Sequence, residues 1–193
     1  MLHLLTKKGR LSREKAKDLY NKVVLASRNP VFYTAYNVPD TTEGRFEMIC
    51  LHGGILVNRL SRPDMGAEGR MLAQAFFDIM FINLDWSIRE AGVGDLAVPR
   101  RIKKMMSDFK GRSFAYDEAI KAGAGESIHA LTRNLYGSTP KPPPETLSTM
   151  ATYLQNCVTK LSEQGLSDFW QGHVYFPDLP SSSQGQKYVS QAA

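Results

Sequence analysis

Between Met71 and Ile88 the sequence places apolar side chains at helical spacing on two adjoining faces. This stretch restricts the folds open to the chain more than any other. Leu72, Phe76, Ile79, Met80, Asn83 and Trp86 fall on one face, and Phe77, Phe81, Leu84 and Ile88 on its neighbour. Only Gln74, Asp78 and Asp85 make a polar strip. A helix that is apolar around most of its circumference has to be enclosed by others, so this segment is expected to be the central core helix, stopped by Gly92 and Gly94. It does not read as a membrane span, which needs ~18 uncharged apolar residues; Asp78 and Asp85 interrupt it, and no other stretch comes closer.

The partners such a helix needs are present. Leu11 to Ser27 carries Ala16, Leu19, Val23 and Ala26 on one face, with Ser12 as candidate N-cap and Asn29-Pro30 as the stop. Val31-Phe32-Tyr33 suits a short helical turn. Asp40 and Glu43 have capping-box spacing ahead of Phe46, Ile49, Cys50, Gly53, Leu56, Val57 and Leu60. Gly53-Gly54 inside that pattern costs about 1 kcal/mol per glycine relative to alanine, which is explained if another helix approaches closely there. A further helical segment runs from Asp95 to about Lys121, with Pro99 tolerated near its first turn. Ser127 to Tyr136 is a shorter candidate, and Leu147 to Leu161 is the last amphipathic helix, stopped by Gly165. No alternating run makes a strand. The expected fold is all-α: a single-domain bundle of about six to eight helices, with residues 1–138 as helical core, 139–144 (TPKPPP) as a polyproline-type connector, 145–172 as a C-terminal helix packing on the core, and 173–193 as an extended, mobile tail.

Catalytic chemistry finds little support. His3, His52, His129 and His173 include no pair at i, i+4 and no HExxH. His52, on an enclosed helix, reads as a hydrogen-bonded core histidine. Cys50 and Cys157 read as buried small residues and make no CxxC. Asp78 and Asp85 are separated by ~10 Å of helical rise, too far to share a proton. Gly92-Val93-Gly94-Asp95 follows a helix, whereas a dinucleotide turn follows a strand. The chain is therefore expected to be a non-enzyme, with no cofactor, no metal and no small-molecule substrate. The basic N-terminal stretch lacks a long apolar run and a cleavage site, so it is not a secretory signal; the expected location is cytoplasmic, with peripheral membrane contact as an option.

What remains is binding. The 193 residues carry a formal charge of +5, a mild bias toward acidic or anionic partners. Arg100, Arg101, Lys103, Lys104, Lys110 and Arg112 form a basic cluster interrupted only by Asp108. Ile102, Met105, Met106 and Phe109 occupy the opposite arc; Met105, Met106 and Phe109 are read either as core or as an adaptable apolar groove. Asp85, Arg89, Glu90 and Asp95 suit an ion-pair and capping network, and Asp40 a cap near Arg45.

Three blocks in order carry a resemblance. They are Val38-Pro-Asp-Thr-Thr-Glu-Gly-Arg-Phe-Glu47, preceded by Phe32-Tyr33; Leu84-Asp-Trp-Ser-Ile-Arg-Glu-Ala-Gly-Val-Gly-Asp95; and Val98 to Tyr116, with Ile102-Lys-Lys-Met105 and Phe109-Lys-Gly-Arg-Ser-Phe-Ala-Tyr116. Their sequence and spacing, over about residues 11–135, resemble the ubiquinol–cytochrome c chaperone family of alphaproteobacteria and mitochondria. That resemblance implies an all-helical assembly factor for the cytochrome bc1 complex that binds newly made or unassembled cytochrome b. Mitochondrial members act with a small partner protein near the ribosomal tunnel exit, which would place a eukaryotic member on the matrix side. The resemblance brings no cofactor and no catalytic residue. Lys110 departs from it, standing where an aromatic residue is expected before the Gly-Arg pair. The competing reading is a basic peripheral protein that binds ribosome, RNA or an anionic inner-membrane surface with no bc1-specific role.

Overall fold

A computed structural model describes residues 7–179 of the chain; His3 and residues 180–193 of the tail expected to be mobile lie outside them. The described residues form eight α-helices: α1 (Lys7–Ser27), α2 (Pro30–Thr34), α3 (Thr42–Leu60), α4 (Gly66–Glu90), α5 (Val98–Ala122), α6 (Ala124–Asn134), α7 (Pro144–Ser162) and α8 (Leu166–Trp170), with one 3-10 turn, Pro63–Met65, before α4. The all-α bundle is as expected.

The helix at the centre is α3, not α4. Nine consecutive residues, Met48 to Leu56, are buried whatever face they occupy, because α1, α4, α5 and α7 all pack against this one helix. Gly53 and Gly54 admit the neighbours. A Cβ on Gly53 would touch the Phe76 and Phe109 rings at 3.4 Å, and one on Gly54 would come within 3.2 Å of the Ser113 backbone. The close approach anticipated for this glycine pair is therefore made by α5. By contrast, α4 packs on α1, α3 and α5, with a smaller contact to α8, and leaves one flank open; Asn83 and Trp86, expected on its core face, are exposed.

Local signals differ from expectation at two helix starts. Ser12 lies inside α1, its hydroxyl donating to the Gly9 carbonyl at 2.9 Å, so it is not the cap. The cap of α3 is Thr41, whose hydroxyl accepts from the Gly44 N–H at 3.1 Å. Asp40, one residue earlier, takes the Arg45 guanidinium at 2.6 Å instead, and that bond holds its carboxyl below the usual range. Asn29 ends α1 by capping α2, accepting from the Val31 N–H at 3.1 Å.

The C-terminal third is built into the core. Pro143 holds extended backbone (φ −53, ψ 148) just before α7, and α7 packs on α3 and α6. Residues 173–179 lie against the bundle: the Tyr175 N–H donates to Gln164 Oε1 at 3.0 Å, Val174 is buried, and the Phe176 ring meets His52 edge-on with centroids 4.8 Å apart. The extended tail expected from residue 173 thus starts as a strap seated on the core.

Candidate binding surface

The site is assembled from α4 and α5. Phe77 and Phe81 on α4 clasp Phe109 on α5, with ring centroids 5.8 and 6.1 Å apart. Further toward the turn between the helices, Ile82 and Trp86 of α4 face Ile102 and Met106 of α5. Rising numbers on one helix thus meet falling numbers on the other, so the two run antiparallel. Beyond the aromatic clasp they leave a groove of about 560 Å³, floored by Phe81, Ile82, Trp86, Ile102 and Met106 and edged by Arg13, Asp78 and Asp85. Trp86 is 65% exposed and Ile82 45%. The turn at the end of this pair presents Leu96, 99% exposed. Large apolar side chains gathered on one open groove mark a contact surface, whereas scattered ones need no explanation.

The residues singled out in the sequence separate into three groups. Phe109 is 1% exposed and packs under Gly53 as well as in the aromatic clasp, so it is core; it does not line this groove and borders only the second one, described below. Met105 and Met106 are half-buried against the core, and Met106 also lines the groove. Arg112 lies on the flank facing α3, not among the outward cations. Its Nε and Nη2 reach Glu47 at 2.9–3.1 Å, on a carboxylate that is largely buried. Burial pushes the Glu47 carboxyl upward, and the Arg112 bonds pull it back only in part.

The other cations remain at the surface in different states. Lys104 is held by Asp108 at 2.5 Å. Arg101 comes only to 4.0 Å of Glu43. Lys110 sits 5.5 Å over the Phe77 ring, beside a second groove of about 530 Å³ that includes exposed Phe114 and Arg70. Arg100 and Lys103 are exposed and have no ion-pair partner among the described residues. Of the acidic network, Arg89 binds Asp85 at 2.6 Å and Asp95 at 2.7 Å, tying the last turn of α4 to the turn after it. Glu90 points to solvent outside this network.

Trp86, Ile82 and Leu96 were the residues missed. Trp86 lies at the end of the apolar arc with Asp85, Ser87, Arg89 and Glu90 around it; that polar flanking was the available signal that the arc leaves the core there.

The histidine and cysteines weighed for chemistry lie in the core, away from this surface. His52 is fully buried. Its Nδ1 lies 2.9 Å from the Met48 carbonyl and 3.2 Å from Ser27 Oγ, and its Nε2 lies 2.8 Å from Tyr153 Oη. Burial lowers its imidazole to about 4. Cys50 and Cys157 are buried free thiols raised by burial. Among the described residues no group of three or more His, Cys, Asp or Glu is placed to hold a metal ion, and no helix is long and apolar enough to cross a membrane.

Comparison with known proteins gives two findings. The model of the family described as "Ubiquinol-cytochrome C chaperone" matches residues 34–176, continuing past the proline connector through α7 and α8. The crystal structure of the Cbp3 homolog from Brucella abortus is similar to this chain with a TM-score of 0.76 and 32% sequence identity, over 92% of this chain and 97% of that one. No curated protein matches the chain.

Proposed function

The chain belongs to the ubiquinol-cytochrome C chaperone family, and from that membership we propose that it holds newly made or unassembled cytochrome b during assembly of the bc1 complex, in the groove between α4 and α5. The observation that carries this reading is the open apolar floor of Ile82, Trp86, Ile102 and Met106. A membrane protein waiting outside the bilayer exposes apolar helix faces, and a holder has to cover them. Each large side chain newly buried contributes about 1.5–3 kcal/mol before the cost of association. Methionine lets the groove adapt to more than one segment of a client. The role calls for no catalytic step and no cofactor.

Removing the gene and measuring assembled bc1 complex tests the role: assembled complex should fall, and normal levels would end the proposal. The groove is tested separately with a photoreactive residue in place of Ile82, compared with one in place of Leu25, an exposed leucine on α1. Newly made cytochrome b should be captured from the first position and not from the second. Equal capture from both would remove the groove from the reading.

A further inference from the structure

We propose that the turn joining α4 to α5, together with the first two turns of α5, docks onto a bilayer carrying anionic lipid. This goes beyond the client reading and does not depend on it: the surface adjoins the groove and shares Trp86 with it, but the ligand is lipid and its test involves no client.

The apolar part of the surface is its tip. Leu96 is 99% exposed and makes no use of its side chain within the fold. It is followed by exposed Ala97 and Pro99, while Val98 behind them is fully buried and fixes the start of α5. A single exposed leucine is unremarkable. Here it stands on the same end of the helix pair as exposed Trp86, and the next turns of α5 supply Arg100, Arg101, Lys103 and Lys104. Aliphatic tip, nearby tryptophan and a ring of arginine and lysine are the composition of a protein segment that sits at a lipid headgroup boundary.

Within the docking segment, residues 91–105, Arg100, Arg101, Lys103 and Lys104 stand against Asp95 alone, and the other carboxylates flank it. Arg89 is shared between Asp85 and Asp95, Lys104 is taken by Asp108, and Asp78 accepts from Gln74 at 2.8 Å. Glu43, on α3, lies 4.0 Å from Arg101. Among the described residues Glu90 is the one exposed carboxylate at this end outside any of these contacts, and Arg100 and Lys103 are exposed with no ion-pair partner. An anionic headgroup therefore complements the ring. RNA is the weaker match, since single strands are held by aromatic faces interleaved with cations, and no aromatic residue stands among the cations of residues 91–105. The Arg89 pairs join the turn to the end of α4, and buried Val98 seats the start of α5 behind the tip.

The test is co-sedimentation of the full chain with vesicles of phosphatidylcholine alone, with vesicles containing phosphatidylglycerol as well, and a parallel titration with a mixed-sequence single-stranded RNA. Binding to the phosphatidylglycerol vesicles is expected to exceed binding to phosphatidylcholine by more than tenfold and to weaken with salt. Each cation removed should cost about fivefold, so Arg100→Gln with Lys103→Gln should lose more than tenfold. Leu96→Ser, which changes no charge and touches no core residue, should lose about tenfold. Circular dichroism of both variants should match the parent. Equal binding to both vesicle types, vesicle binding that survives Leu96→Ser, or binding to RNA with none to vesicles would each overturn the proposal.

Discussion

The phenolic oxygen of Tyr153 on α7 lies 2.8 Å from Nε2 of His52 on α3, joining residues 101 apart in the chain inside the sealed core. On the other side of the ring, Nδ1–H donates to the Met48 carbonyl at 2.9 Å, which leaves Nε2 to accept the Tyr153 proton. The ring is therefore neutral in the fold, and burial lowers it to about 4 against 6.5 in an open chain. A group whose folded value is depressed binds fewer protons folded than unfolded, so stability is full above 6.5 and is lost as the pH falls toward 4. Between pH 7 and pH 5 the loss is about 2 kcal/mol. Urea titrations at the two pH values measure it; in His52→Gln, whatever its absolute stability, that histidine-specific difference should disappear.

The same bond predicts the cost of removing its other partner. Tyr153→Phe keeps the ring that packs against Phe32 and His52 and deletes only the donor, leaving a fully buried ring nitrogen unsatisfied. The loss is about 1–3 kcal/mol, read as a fall in the urea midpoint at pH 7 with an unchanged denaturant slope.

Adjacent glycines should respond differently to the same substitution. Gly53→Ala puts a methyl at ordinary contact with two aromatic rings at 3.4 Å and gains helix propensity, so stability is expected to hold or rise by up to about 1 kcal/mol. Gly54→Ala drives its methyl to 3.2 Å from the Ser113 Cα. Backbone cannot step aside as a side chain can, and overpacking should outweigh the propensity gain, for a net loss of about 1–2 kcal/mol. Thermal melts of the two variants side by side decide it.

The helices were legible in the sequence because their signals are local. The apolar faces of α1, α3 and α7 repeat at helical spacing, and the glycine pair in α3 announced a close neighbour. Which helix would be central was not legible. α3 and α4 are both apolar on most sides, and periodicity alone does not say how many neighbours a helix receives. The residues that supply the remaining cover for α3, those of α7 and the strap ending at Leu179, come from far along the chain. The candidate surface was half legible. Its segment, Asp85 to Tyr116, could be chosen from the ordered motifs and the run of cations. Yet the inward Arg112, the core Phe109 and the outward Trp86 depend on how α5 is rotated against α3 and α4, a long-range property no local pattern carries.

That rotation makes two cations of α5 unequal. Arg112 forms a forked contact with Glu47, on a carboxylate largely withdrawn from water. Arg112→Ala would strand it and should cost about 2 kcal/mol. Arg100→Ala removes an exposed charge with no ion-pair partner among the described residues and should change stability by less than about 0.5 kcal/mol. Chemical denaturation of the pair separates a cation that holds the fold from one left available to a ligand.

Trp86 and Phe109 allow the binding role to be separated from folding. Trp86 is 65% exposed, so Trp86→Ser removes groove floor while leaving the bundle's packing nearly intact, with an expected change in melting free energy of about 0.5 kcal/mol. Phe109 is 1% exposed and is touched by Phe77 and Phe81, so Phe109→Ala opens a core cavity at about 3–5 kcal/mol. Both variants should fail to restore bc1 complex to a strain lacking the gene, for different reasons. Phe109→Ala should fail with a lowered protein level and a lowered melting temperature. Trp86→Ser should fail with protein level and melting temperature near those of the parent, because what it loses is contact with the client. Full restoration by a stable Trp86→Ser protein would show that the client is held elsewhere on the bundle, and would turn attention to the second groove around Phe114 and Lys110.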